Sequence, residues 1–404
     1  MFLVKRLIVV LVALVLTMTP RITSAASNFV VNSGADDHDY VINGVCETQN
    51  GNGVCTLRAA LDEINAAGGG WHHILIAPMT ISLSSQNGEL PLKSGVHVLM
   101  SGAGTATVID AGNHFGVRIF NVDSGAWLRL SNLTLANGNV GCCGAGIENR
   151  GIVYLQKVVL SGHLASSSGM GGNAGRGAAI FNESSGVLTV ENSTFTNSQS
   201  RGSGGAIRNE GLLTVVKSTF VSNDAYAGGG GAIANIGRAY IYTSTFSANH
   251  SAGAGAIWND FGGQVYIYSS TFADNYTHSN APSNTLSNSG SMVLLNTIVY
   301  ASPGGTNCNG TVISWGYNLS NDTSCNFGRR GDQQGGDPKL APLANNGGPT
   351  QTRKLLVGSA AIDTGFCVGS DQRGYRRPVN ILPRWGRGNN CDIGSFELQR
   401  NEVR

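Results

Sequence analysis

Gly204-Gly-Ala-Ile207-Arg-Asn209 leads into Leu213-Thr-Val215-Val-Lys-Ser-Thr-Phe220-Val-Ser-Asn223, and the chain then writes the same sentence again. It returns as Gly230-Gly-Ala-Ile233-Ala-Asn235 with Ile241-Tyr-Thr-Ser-Thr-Phe246-Ser-Ala-Asn249. A further copy is Gly255-Ala-Ile257-Trp-Asn259 with Ile267-Tyr-Ser-Ser-Thr-Phe272-Ala-Asp-Asn275. An earlier one runs from Gly177-Ala-Ala-Ile180-Phe-Asn182 to Phe195. The phenylalanines step by 25, 26 and 26 residues, and Ile298 lies another 26 on. A fixed period of this length means one small unit stacked many times. Alternating runs of Val, Ile, Thr and Tyr make the unit from strands, and Gly- and Asn-rich stretches make its turns. No helix-length amphipathic run separates the copies, which excludes helical and leucine-rich solenoids. A propeller blade needs about 40 residues or more. The sequence therefore predicts a parallel β-helix, right-handed by the general preference of parallel crossovers.

Alternation assigns faces. Leu155, Val190, Val215, Ile241, Ile267 and Val293 are expected in one inward column, and Ile147, Ile180, Ile207, Ile233, Ile257 and Leu286 in a second. Two residues beyond the second column stand Asn149, Asn182, Asn209, Asn235, Asn259 and Asn288. An asparagine at one place in every coil can donate to the next coil and accept from the one before, which satisfies a buried amide.

The flanks differ. Lys5 and Arg6 precede the apolar run Leu7 to Leu16, and Thr23-Ser24-Ala25 has the small residues of a cleavage site, so residues 1–25 read as a secretory signal peptide. With 26 Lys plus Arg against 24 Asp plus Glu, the charge balance offers nothing to nucleic acid. An exported chain with eight cysteines reads as disulfide-bonded. Cys46 with Cys55, Cys308 with Cys325, and Cys367 with Cys391 are expected pairs. The adjacent Cys142 and Cys143 can bridge each other, pair elsewhere or stay free. No His stands at metal-ligand spacing from any pair, so no metal site is expected. Residues 26–95 form a cap and first coil. Within them, Thr56 suits the N-cap of a short helix, with Leu57, Ala60, Leu61 and Ile64 on its apolar face and Gly68 to Gly70 ending it. The coils are expected over 96–302 and a loop-rich domain over 303–404. A stretched, Ser- and Gly-rich segment from Ser161 to Gly177 predicts a long exposed loop.

Cys55-Thr-Leu-Arg-Ala-Ala60 resembles the Cys-Ser-Leu-Arg-Glu-Ala motif that begins many secreted bacterial β-helix proteins. Thr56 replaces Ser and Ala59 replaces Glu, so the reciprocal capping bond of the motif is missing. The Gly-Gly-Ala-Ile and Phe-x-x-Asn pairs resemble repeats of chlamydial polymorphic outer-membrane proteins, which are adhesins. Those end in a membrane barrel for which this chain has no room. Asp337-Pro-Lys-Leu340, Asn346-Gly-Gly-Pro-Thr350, Gly358-Ser-Ala-Ala-Ile-Asp363-Thr-Gly365, Asp371-Gln-Arg-Gly374 and Cys391-Asp-Ile-Gly-Ser-Phe-Glu397 resemble, in that order, a choice-of-anchor Q domain. Members often carry an anchoring tail. This chain stops at Glu402-Val-Arg404 with no apolar tail, which puts covalent anchoring in doubt and leaves the mode of surface attachment open.

Three places could carry chemistry. Asp371, Arg373, Arg376, Arg377, Asp392 and Glu397 form the densest ionisable cluster, and paired carboxylates can cleave glycosides, but short Asp-x-Arg and Asp-Ile-Gly motifs beside a disulfide read as turns and ion pairs. Along the coils, Glu191, Arg208, Lys217, Asp224, Arg238, Asp260 and Asp274 show no convergence. No catalytic residue is assigned, and calcium would enter only if the chain were a lyase. His114, His163, His250 and His278 read as solitary loop histidines. The sharpest feature is a square of outward tyrosines on adjacent coils, Tyr240, Tyr242, Tyr266 and Tyr268, spaced ~4.8 Å along the axis. Such a square offers ring faces and hydroxyls to sugars, and cross-strand stacks also stabilise sheets. Trp258, on another strand, is expected at its rim. The expectation is a secreted or cell-surface monomer without a membrane span that binds a polysaccharide or other surface glycan without cleaving it. A polysaccharide lyase or glycoside hydrolase, and a structural spacer, are the rivals.

Overall fold

The computed structural model describes residues 27–166, 175–278, 284–301, 305–367, 369–381 and 391–403. The expected signal peptide and the centre of the expected long loop lie outside these residues.

The chain is a parallel β-solenoid. A typical coil runs Ile233–Asn235, Arg238–Tyr242, Thr245–Ser247 and His250–Ser251 before the next begins at Ile257–Asn259. The first of these strands belongs to a sheet of nine, from Leu90–Leu92 to Thr306–Asn309. The second and third belong to a long sheet of twenty, and the fourth to a narrow sheet of six. The bends within the long sheet are single residues of left-handed backbone. Asn132, Lys157, Asn192, Lys217, Thr243, Ser269 and Asn296 form one row of them, with φ between 47° and 55°. Asn tolerates this region better than other non-glycine residues, which explains its recurrence at the row.

Strand alternation fills the interior. Val190 pairs with Leu155 and Val215, and Ile241 with Val215 and Ile267, all fully buried. Phe195, Phe220, Phe246 and Phe272 stack with ring centroids 4.6, 4.7 and 4.6 Å apart. The asparagine column forms the expected ladder. Each Nδ2 from Asn149 to Asn259 donates to the Oδ1 of the next coil at 2.6–2.8 Å. A second ladder joins Asn223, Asn249 and Asn275 at 2.9 Å. Buried amides on one axis thus cost little, because every donor finds an acceptor.

Two columns depart from the expected register. The last step is 27 residues long, so Leu294 follows Ile267 and Val299 follows Phe272. A one-residue slip turns a side chain to the opposite face. Val293 therefore continues the outward column of Tyr266, and Ile298 leaves the solenoid interior for a second apolar cluster. Parallel pairing also passes the expected end at residue 302. Ile313–Ser314, Leu319–Ser320 and Gln333–Gln334 add a further, shorter-stranded coil. Sequence alternation there is too short to register as a repeat.

The cap forms as its sequence suggests. Helix α1, Leu57–Ala67, buries Leu57, Ala60, Leu61 and Ile64, and ends at Gly68 with φ 73°. Thr56 accepts from the Ala59 N–H and donates to the Asp37 carbonyl. Arg58, buried, binds both Asp36 carboxylate oxygens at 2.8 and 3.1 Å and the carbonyls of Gly88 and Glu89. Arg58 is thus a tether that holds the polar loop before α1. All four cysteine pairs are bridged, including Cys142 with Cys143.

The described residues beyond Gln334 fold back over the long sheet. A hairpin of Leu340–Ala344 with Thr352–Leu355 lies there, and Ile298, Leu319, Leu355, Ile362, Ile393, Phe396 and Leu398 share the second cluster. The contacts are polar at their edge. Gln372 bonds Thr219 and Thr245, Ser395 bonds Thr271, and Arg353 bonds Ser247 and Asp274. No described helix is long and apolar enough to cross a membrane.

Candidate ligand-binding face

The long sheet presents two outward strips in each coil. The second, on Thr219–Val221, Thr245–Ser247 and Thr271–Ala273, is the one covered by the C-terminal segment. The first, on Arg238–Tyr242 and Gln264–Tyr268, is left half-open.

The four tyrosines meet there as a square. Tyr240 lies 5.2 Å from Tyr266 and Tyr242 lies 5.1 Å from Tyr268, with rings nearly parallel. Within one coil, Tyr240 and Tyr242 are 6.5 Å apart. Each ring is partly exposed. Burial, then the neighbouring phenols Tyr268 and Tyr240, pushes the Tyr242 hydroxyl up. Burial, followed by Tyr266 and Tyr240, pushes Tyr268 up to about 12. The Tyr242 and Tyr268 hydroxyls stay protonated in neutral water and can donate to ligand oxygens.

Trp258 does not belong to this surface. It stands on the nine-stranded sheet, in register with Ala234, and its ring lies over Gly229 so closely that a Cβ there would meet it at 2.6 Å. Its neighbour in sequence space, Asn259, is a ladder residue, so the Ile-Trp-Asn strand could only project Trp258 from that sheet. The tryptophan that does extend the square is Trp315, 6.4 Å from Tyr266 and 6.2 Å from Tyr268 and nearly half exposed. It lies in the final coil that the sequence period had not revealed.

The same strip carries aromatic groups at its other end. Trp71, His97 and Trp127 occupy one outward column, with Trp71 5.0 Å from His97 and 4.6 Å from Trp127. Between the two groups, Arg129 sits 5.0 Å over Tyr154, whose hydroxyl donates to Glu191. Arg129 also bonds Gln156 at 2.8 Å. These residues share the alternation of the tyrosines, and extending the columns toward the cap would have found them.

The ionisable candidates are otherwise engaged. Asp371 and Arg373 are buried ion partners at 2.9 Å, and Arg373 also reaches Glu402 at 2.6 Å. Asp371 accepts the Tyr375 and Glu397 N–H groups, Glu397 those of Val379 and Asp392, and Asp392 those of Asp363 and Leu398. Burial raises both Asp392 and Glu397. This cluster organises backbone. Asp274 is held by Arg353, and Asp260 accepts the Phe261 N–H.

One carboxyl pair does converge, where the sequence suggested none. On the nine-stranded sheet, Arg150 binds Glu148 at 2.6 Å and Glu183 at 2.9 Å, and Arg118 binds Glu89 and Glu148. Burial, then hydrogen bonding with Glu148, raises the Glu183 carboxyl. Carboxyls in hydrogen-bond reach are closer than the ~5 Å that glycosidic cleavage uses, and arginines already neutralise them. Three of the histidines also depart from expectation. His163 is fully buried, accepts the Gly138 N–H, and is pushed down to about 4 by burial. His250 and His278 converge on Asp224.

No protein-family model and no curated protein sequence matches the chain. Among solved structures, pectate lyase Pel9A superposes with a TM-score of 0.45 and 14% identity, over 93% of this chain and 98% of that one.

Proposed function

We propose that the protein is an exported, surface- or matrix-associated β-solenoid that binds a polysaccharide along the open strip of its long sheet without cleaving it. The observation that carries this reading is the partly exposed tyrosine square with Trp315 beside it. Flat rings suit the apolar faces of sugars, and protonated phenols suit their oxygens. The Trp71–Trp127 group on the same strip gives an extended ligand a second hold, with Arg129 and Gln156 between the two. Export is supported by the four cysteine bridges and by the amino-terminal sequence. The motifs resembling Cys-Ser-Leu-Arg-Glu-Ala and the choice-of-anchor Q domain agree with a surface role.

The test mixes the oxidised protein with fluorescent neutral and acidic polysaccharides, with and without calcium, and follows elution size over hours. Binding without shortening is expected. Replacing Tyr240, Tyr242, Tyr266 and Tyr268 by Ser is expected to abolish it while the unfolding transition stays cooperative. Undiminished binding by that variant would remove the square from the proposal, and progressive shortening would replace the binder with an enzyme.

A further inference from the structure

The narrow sheet gathers a second set of side chains whose chemistry differs from the tyrosine face. Asp224 pairs in register with His250, and His250 with Tyr276, at steps of 26 residues. His278 lies two residues further, in the column of Arg201, Tyr226 and Ala252. Ala252 is the small member of that column. The His278 ring can therefore reach back across a whole coil, and its Nε2 lies 2.6 Å from Asp224 Oδ1. His250 Nδ1 lies 3.0 Å from the same oxygen. That nitrogen is shut off from solvent yet lacks the alignment of a hydrogen bond to any partner. One oxygen and two imidazole nitrogens, from three successive coils, all fall within 4.8 Å of one another.

We infer that Asp224, His250 and His278 form a surface site for a divalent transition-metal ion such as Zn2+. Two imidazoles with one carboxylate are the ligand set of borderline metals rather than of calcium, which takes oxygen. Tetrahedral zinc bonds of about 2.1 Å place ligand atoms about 3.4 Å apart. The two contacts with Asp224, at 2.6 and 3.0 Å, need to open by about 0.8 and 0.4 Å. The side chains are 14%, 23% and 34% exposed, so the site is anchored at Asp224 and open at His278. Three protein ligands leave a coordination position for water or an incoming donor. Tyr226 and Tyr276 flank it, 6.0 Å from His278 and 5.1 Å from His250 respectively. The ion would also pin three coils together, since it binds the folded arrangement and not the separated ligands.

The test uses the whole oxidised protein, freed of metal with a chelator and then titrated with Zn2+ alone, and with Co2+ as a spectroscopic substitute. One equivalent of Zn2+ should be retained through desalting and should raise the melting temperature. Co2+ should give the visible absorption of a low-coordinate site with nitrogen ligands. His250→Gln with His278→Gln should lose both responses. Retention of Zn2+ by the double variant, or no stoichiometric retention by the parent protein, would overturn the inference. Should the double variant fail to fold, X-ray absorption of the parent's Zn2+ complex decides it: imidazole scattering from two histidines supports the site, and its absence overturns it.

Discussion

Two strips of one sheet, two residues apart at each bend, have opposite fates. Thr219, Thr245, Ser247 and Thr271 lie buried beneath the C-terminal segment, while Tyr240, Tyr242, Tyr266 and Tyr268 remain half-open. The covered strip is made of short hydroxyl side chains. They let a second layer approach and bond to it, as Gln372 bonds both Thr219 and Thr245. The open strip is made of large rings that stack on one another and keep such a layer at a distance. Residue size along a single strip thus decides whether it becomes an interior contact or a surface for a ligand.

Removing the clamp that holds the covering layer tests this difference most severely. Arg373 is fully buried, binds Asp371 and Glu402, and lies 3.7 Å over the Phe396 ring. Arg373→Met strands the buried Asp371 carboxylate and is expected to cost ~3–5 kcal/mol. Limited proteolysis should then cut within the C-terminal segment first and spare the coils, because the Asn and Phe ladders do not depend on it. Simultaneous loss of both would show that the two layers fold as one unit.

A pH series separates the same two regions. His163, in the coils, is held neutral with its pKa near 4, whereas an unfolded histidine titrates near 6.5. Between those values the unfolded chain binds the extra proton, so stability falls as pH drops from ~6.5 to ~4, by ~3 kcal/mol in all. Asp392 and Glu397 run the other way. Burial raises their folded values, so their contribution is complete at low pH and is lost as pH rises through those raised values. Denaturant titrations should show the coils weakening in acid, with the slope absent in His163→Gln. Proteolysis of the C-terminal segment should accelerate toward alkaline pH.

A smaller effect compares the strips at the level of one hydroxyl. Thr245→Val keeps the shape but leaves the Gln372 Oε1 and Ser395 Oγ short of a partner in a dry contact. It is expected to cost ~1–3 kcal/mol. Thr214→Val, on the open strip one coil from Tyr240, is expected to stay within ~0.5 kcal/mol. Equal costs by chemical denaturation would mean that the open strip has a cover as well.

How much of this could be read from the chain follows from what a period can encode. Interior columns, the Asn149–Asn288 ladder and the tyrosine square all come from residue types repeated at matching places in successive coils, even where the step departs from 26 residues. Val293 and Ile298 misled because the step into their coil is one residue longer, and alternation carries no memory of an inserted one. Trp315 was hidden just after a strand of two residues, Ile313–Ser314. The Asp224, His250 and His278 group was missed for a different reason. Its members share a column or neighbouring columns but not a residue type, so only the register, once known, brings them together. The C-terminal cluster was legible as ion pairs and turns, yet its docking on Thr219, Thr245 and Thr271 was not, since nothing in those threonines marks them as covered.

The smallest expected effect lies at the bend between the strips. Thr243 has φ 49°, a left-handed conformation that a β-branched residue adopts at a cost of roughly 1–2 kcal/mol. Other coils place Asn132, Asn192 or Asn296 at the equivalent bend, with φ of 52°, 51° and 54°. Thr243→Asn should therefore stabilise the protein by ~0.5–1 kcal/mol, seen as a raised denaturant midpoint with an unchanged slope. Because the backbone path stays the same, Tyr242 and Thr245 keep their places on the two outward strips, and polysaccharide binding should not change. A stabilised variant with weakened binding would instead mean that the strain at Thr243 helps to set the tyrosine rings.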